Sequence, residues 1–393
     1  MNPSANGWVS KYCREIDSGV LKLPDPDSLY NSLRTSGFIY GTTVSTIITT
    51  DQRITLSEEE KTKINLFTAL CGIYYDTIEN GNSEDLVAAL IEFYTFLDTK
   101  KSLFSLLTNR SGKPKEKLEK IIHHRIQTTE SIIKKNFSHL ITNALLFLDV
   151  LAFEHFLLHE ENPIDYASQM EDVMVKTVLL ALHSKLEKNQ SDELLIHLFA
   201  SSVRYATLYD EKDLQLQSID FTFFKDDIEK KYVLDLSSLA LWTDKILDPK
   251  ENIFITSLGE ELGVSKTWVT QSVQHVDHFI GKYKDQISYF NYSNPAHHFY
   301  KQTSRTVHIL ILRNKKRLLT EITESKDLVI LLGQSTIRDL TKDERKKVKQ
   351  QLLDICKSIP SLAIFILPGG GLLLPLLIKF IPKLLPSAFN ENV

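Results

Sequence analysis

Apolar residues recur along this chain every three to four positions, and the strict alternation of a half-buried strand is scarce. That spacing predicts helices throughout. Ser57 followed by Glu60 is a capping-box pair opening a helix over "SEEEKTKINLFTALCGIYYDTIENG", with Gly81 as its expected stop. Ser83 opens another, to about Asp98. Beyond the polar "TNRSGKPKE", Pro114 suits the first turn of a helix reaching about Lys135. Residues 138–160 predict an unusually apolar helix, since only Thr142, Asn143 and Asp149 are polar between Leu140 and Phe153. A helix apolar nearly all round belongs at the centre of a bundle. Pro163 ends that stretch, and helices near 165–188 and 191–205 follow. Residues 35–50 are uncharged and rich in Thr and Gly. They fall short of the ~20 residues needed to span a bilayer and read as a packed loop or short helix.

Periodicity lapses over 207–225, which divides the chain into four parts. These are an N-terminal extension (1–50), a helical bundle (51–206), a second helical region (226–340) and a C-terminal segment (341–393). The predicted fold class is all-α, with helical bundles followed by a C-terminal broken apolar helix pair, transmembrane or re-entrant. The length, 393 residues, agrees with two or three domains. At 42% apolar and 24% charged, the composition excludes wholesale disorder and a polytopic membrane protein. Cys13, Cys71 and Cys356 form no CxxC pair, which excludes a disulfide scaffold and fits a reducing compartment. The first residues carry no basic-then-apolar leader, so no secretory signal is expected.

Charge changes the picture near the C-terminus. From Lys342 to Lys383 eight basic residues face three acidic ones, although the whole chain is −4. Arg313, Lys315, Lys316 and Arg317 lie just upstream. Thr341 and Glu344 form a second capping box, and a basic helix containing Arg345, Lys346 and Lys347 should follow. Ser358 to Ile378 then runs 21 residues without a charge, long enough to cross a ~30 Å hydrocarbon core. The basic flank places the bulk of the chain in the cytoplasm, at an inner membrane if the source is bacterial. Lys379 and Lys383 suit snorkelling at the far end. Pro360, Pro368, Pro375, Pro382 and Pro386 punctuate the run, and Gly369, Gly370 and Gly371 break it, so a re-entrant pair competes with a straight span. A buried hairpin in a soluble cytoplasmic bundle is the other reading of these residues.

Catalytic signatures are absent: there is no P-loop, no GxGxxG, no GxSxG elbow and no EF-hand loop. No nucleophile, base and orienter assemble in sequence, so no enzyme and no cofactor are expected. The metal candidate is "FEHFLLHEE": His155 and His159 lie one turn apart beside Glu154 and need a third ligand from another helix. Its competing reading is the polar end of a buried helix. "ITSLGEELGVSKTWVTQSVQHVDHF" resembles a helix-turn-helix, with Gly263 in the turn and Ser265, Lys266, Thr267 and Thr270 facing out. Residues 255–280 would then serve a membrane-anchored DNA-binding regulator. The unit lacks a basic footprint, so DNA is not expected as the partner.

The C-terminal residues resemble a known family. "LTKDERKKVKQ", the "IP" of Ile359–Pro360 before "AIFILP", "LLLPLLIKFIPKLLPSAF" and the spacing of the five prolines closely resemble the membrane-proximal segment of the LETM family, the leucine-zipper/EF-hand-containing transmembrane proteins. The match covers about 50 residues, and the overall layout is similar to bacterial LETM-related proteins labelled biofilm-associated. The resemblance implies membrane association, a role in envelope or cation homeostasis, and ribosome binding through helices that follow the span. Since the sequence reads only to Val393, those helices are expected to be largely missing. The apolar run holds no Asp or Glu to relay a cation, so ion movement would call for a homo-oligomer and exposed carbonyls. A fainter resemblance, of helical pattern only, relates 165–205 to TerB-like tellurite-resistance domains. The expected partners are thus a lipid bilayer, a second copy of the chain and, by resemblance alone, the ribosome. A ribosome-associated membrane adaptor is an alternative function.

Overall fold

The computed structural model describes residues 1–49, 55–98, 113–126, 143–159, 162–185, 215–242, 248–284, 286–287, 311–335 and 338–358. Among them every regular element is a helix. In order these are α1 (Trp8–Asp17), α2 (Pro26–Thr35), α3 (Glu58–Thr77), α4 (Ser83–Leu97), α5 (Pro114–Ile126), α6 (Phe147–His159) and α7 (Pro163–Ser184). A 3-10 turn at Leu216–Ser218 precedes α8 (Asp227–Leu241), α9 (Pro249–Glu261), α10 (Lys266–Tyr283), α11 (Lys315–Glu324), α12 (Lys326–Gln334) and α13 (Lys342–Ser358).

Helix starts follow local chemistry. The Glu60 amide donates to Ser57 Oγ at 3.3 Å while the Ser57 amide donates to Glu60 Oε2 at 2.8 Å, closing the predicted box at α3. Asn82 Oδ1 accepts from the Glu84 and Asp85 amides, Asn162 Oδ1 from Ile164, and Asp248 Oδ1 from Lys250 and Glu251. Each contact satisfies an amide that the first turn leaves without a helical partner. The stop of α3 is corrected: the helix ends at Thr77, and the left-handed residue is Asn80 (φ 57°) rather than Gly81. Asn tolerates that conformation because its short polar side chain bonds locally. The apolar helix is also shorter than the sequence suggests, since a turn at Leu145 and Leu146 precedes α6. The expected helix near 191–205 lies outside the described residues.

α6 takes the central place its composition demands, packing against α3, α4 and α7. α8 carries the core onward by packing on α7, α9 and α10. Buried apolar residues from Met1 to Ile287 form one hydrophobic cluster across the 207–225 lapse. The first 49 residues enter it through Trp8, Val9, Tyr12 and Cys13 of α1 and Leu29, Tyr30 and Leu33 of α2. Residues 36–44 are the expected packed loop. Gly37 (φ +81°) starts it, and a Cβ there would stand 2.1 Å from Thr42 O. That turn sends Phe38, Ile39 and Tyr40 into the core, where Tyr40 meets Phe279 at 5.0 Å.

Candidate functional site

α11, α12 and α13 pack on one another and form a C-terminal arm. Its small core contains Leu318, Ile322, Leu328, Leu332, Val348, Leu352 and Ile355. At the start of α13 the Thr341 amide donates to Glu344 Oε2 at 2.7 Å, and the Glu344 amide donates to Thr341 Oγ1 at 3.3 Å. Arg338 adds a two-pronged contact to Glu344 at 2.7 and 2.9 Å. Arg338, followed by the Thr341 amide, holds the Glu344 carboxyl down at about 2. The helix start therefore remains charged and capped at physiological pH.

The arm sorts its cations into two sets. Arg345 donates to Asp339 at 2.9 Å and to Leu340 O, and Lys347 donates to Asp327 at 2.7 Å. These two cations of the basic helix serve the arm's own geometry. Lys346 is exposed, as are Lys342 and Lys349, and these three enter no ion pair among the described residues. Their spacing places them on one helix face. Sequence reading missed this division because Asp327 and Asp339 are recruited from outside α13. It also missed Arg317, whose Nη2 donates to Ser358 O at 2.6 Å. That bond caps the end of α13, where the uncharged run begins.

Residues 340–393 match the family model described as LETM1-like, RBD. No curated protein and no solved structure matches the chain. The LETM1-like match starts at buried Leu340, one residue before the capping box, and takes in all of α13. It thus gives the RBD description to residues that the sequence reading assigned to a membrane segment. Pro360, Pro368, Gly369, Gly370, Gly371, Pro375, Lys379, Pro382 and Pro386 fall within the match but outside the described residues. The expected broken apolar helix pair lies there too. Among the described residues no helix is long and apolar enough to cross a membrane.

The two other candidate sites lie in the body. His155 and His159 stack at 4.3 Å between ring centroids, and His155 also stacks on Tyr166 at 4.5 Å. Imidazole lone pairs lie in the ring plane, so stacked rings do not aim at one shared point. No group of three or more His, Cys, Asp or Glu able to hold a metal occurs among the described residues. A cavity of about 400 Å³ opens beside His155, lined also by Asn162, Asp165, Tyr166, Gln169 and Phe223. Glu154 lies on the same turn. Burial, reinforced by Asp226, Asp76 and Glu229, pushes its carboxyl up to about 7. Proton exchange near neutrality is what this group offers chemically.

α8, α9 and α10 pack pairwise into a three-helix unit with the expected turn. Gly263 has φ +65°, and Ser265 Oγ accepts from the Trp268 amide at 3.4 Å. A Cβ on Gly259 would stand 2.4 Å from Val269 Cγ2, so α9 and α10 touch where only hydrogen fits. Ser265, Lys266, Thr267 and Thr270 are exposed, as expected. Glu260, Glu261 and Asp277 are exposed with them and offset Lys266 and Lys282. α9 and α10 are joined by a glycine turn, and the charge of the unit does not suit a duplex backbone.

Proposed function

We propose that this LETM-related chain is a non-enzymatic adaptor whose helical body carries an arm that engages an anionic membrane surface. The observation that carries the reading is the exposed stripe Lys342, Lys346 and Lys349, on the helix that leads directly into the 21-residue uncharged run. Basic residues near an anionic leaflet contribute about 1 kcal/mol each, and the apolar run adds burial of its own. The body then lies on the cytoplasmic side of a bacterial inner membrane, in the service of envelope or cation homeostasis. Sedimentation with vesicles of phosphatidylglycerol and phosphatidylcholine tests this. Reversing the three lysines to Glu should lower binding to anionic vesicles and leave neutral vesicles unaffected. Equal sedimentation of parent and variant would remove the stripe from the function.

The RBD description favours a second reading, a membrane adaptor that holds a ribosome through the same arm. The full chain should then travel with ribosomes through a sucrose gradient in low salt. Absence from every ribosomal fraction would eliminate that reading.

A further inference from the structure

The arm meets the body through a polar joint. Arg313, just before α11, places its guanidinium against both oxygens of Glu60. Nη2 lies 2.8 Å from Glu60 Oε2 and also donates to Thr55 O, and Nη1 donates to Asn2 Oδ1 at 3.2 Å. The Glu60 side chain is 1% exposed and that of Arg313 13%. No arm residue belongs to the hydrophobic cluster running from Met1 to Ile287, among the described residues. The two bodies thus have separate apolar cores and share a desolvated ion pair.

Three features suit a joint that opens and closes. Glu60 does not need Arg313 to be satisfied, because it also accepts from the Ser57 amide at 2.8 Å and from Ser4 Oγ at 2.6 Å. α3 keeps its cap when the arginine leaves. Arg313 Nε is buried with no hydrogen-bond partner among the described residues, so docking leaves one donor unmet. Undocking also returns both charges to water, whereas deleting one side chain leaves the other buried alone. The desolvation cost and the Coulomb gain nearly balance in such a pair, and modest forces can tip it.

We infer that the Arg313–Glu60 pair is a latch that docks the arm, and with it the start of the LETM1-like segment, on the body. The latch does not rest on the membrane reading.

Pulsed dipolar spectroscopy on the full chain without vesicles tests the latch. Spin labels go on Val20→Cys in the body and Gln350→Cys in the arm, both exposed positions. The native cysteines are buried, with Cys13 pushed up to about 11 and Cys356 to about 12, so the introduced thiols react first. The parent should show one narrow distance. Glu60→Gln, which can keep the capping box, should broaden it, and so should Arg313→Met. The double variant should be no broader than either single, since both remove one contact. A narrow distance retained in both single variants, with unchanged helix content, would overturn the latch. Broadening that adds up in the double variant would overturn it too. Vesicle sedimentation of Glu60→Gln then separates the two ideas: a released arm that ignores anionic vesicles refutes the membrane reading and leaves the latch standing.

Discussion

Arg34 on α2 and Asp235 on α8 are 201 positions apart in sequence, yet Arg34 Nη2 lies 2.6 Å from Asp235 Oδ1. Tyr30 OH donates to Oδ2 at 2.7 Å and Ser272 Oγ to Oδ1 at 2.6 Å, so α2, α8 and α10 meet at one carboxylate. Burial pushes the Asp235 carboxyl up, and Arg34 leads the groups that pull it back. Removing one partner of such a pair leaves an uncompensated buried charge. Asp235→Ala should therefore cost about 3–5 kcal/mol in urea unfolding. The double variant Arg34→Met, Asp235→Leu should cost much less. A single variant no less stable than the double would show that the pair is not coupled.

Gly259 gives a second test. With a side chain 2.4 Å from Val269 Cγ2, Gly259→Leu forces α9 away from α10. Overpacking of this kind costs about 1–3 kcal/mol. Adding Val269→Ala should restore much of the loss. Thermal melts of the two variants check it, and the second change failing to help would place the strain elsewhere.

Glu154 predicts a pH dependence. Its folded value, about 7, lies above the ~4.3 of an unfolded chain, so the folded protein holds the extra proton between the two. Stability on this account is fully present below pH ~4.3 and falls as pH rises through 7, by on the order of 3 kcal/mol. Glu154→Gln should flatten that slope and be more stable than the parent at pH 8. Denaturant midpoints from pH 5 to 8 measure it.

Glu60 runs the other way. Arg313, Ser4 and the Ser57 amide outweigh burial and hold its carboxyl below the usual value. Its contribution is present above the unfolded pKa and is lost as pH falls through the folded one. The two-label distance between body and arm should broaden in acid. Glu60→Gln should be broad at every pH, so a pH response that survives in that variant would assign the effect to another group.

Much of the local structure was legible from residue order. Ser57 with Glu60, Pro114 and Ser265 each marks a helix start, because capping is settled within four residues; Pro163 was read as a stop and instead opens α7. α6 announced its central position through an apolar surface with no solvent face. The exposed side of α10 was legible from the resemblance of its sequence to a helix-turn-helix. The mistaken stop at Gly81 came from treating glycine as the left-handed residue when Asn80 could take that conformation.

The sequence by itself determined that the chain is helical, where several of its helices start, and that a LETM-like segment opens with a basic helix. These depend on short-range rules of spacing, capping and hydropathy. Tertiary structure alone decided that residues 1–49 enter the main core, that Arg34 finds Asp235, and that Glu60 both caps α3 and receives Arg313. Periodicity encodes which face of a helix is apolar, not which other face it meets. A polar residue that will be buried against a distant partner has the same identity in sequence as one facing water, and only the folded packing distinguishes them.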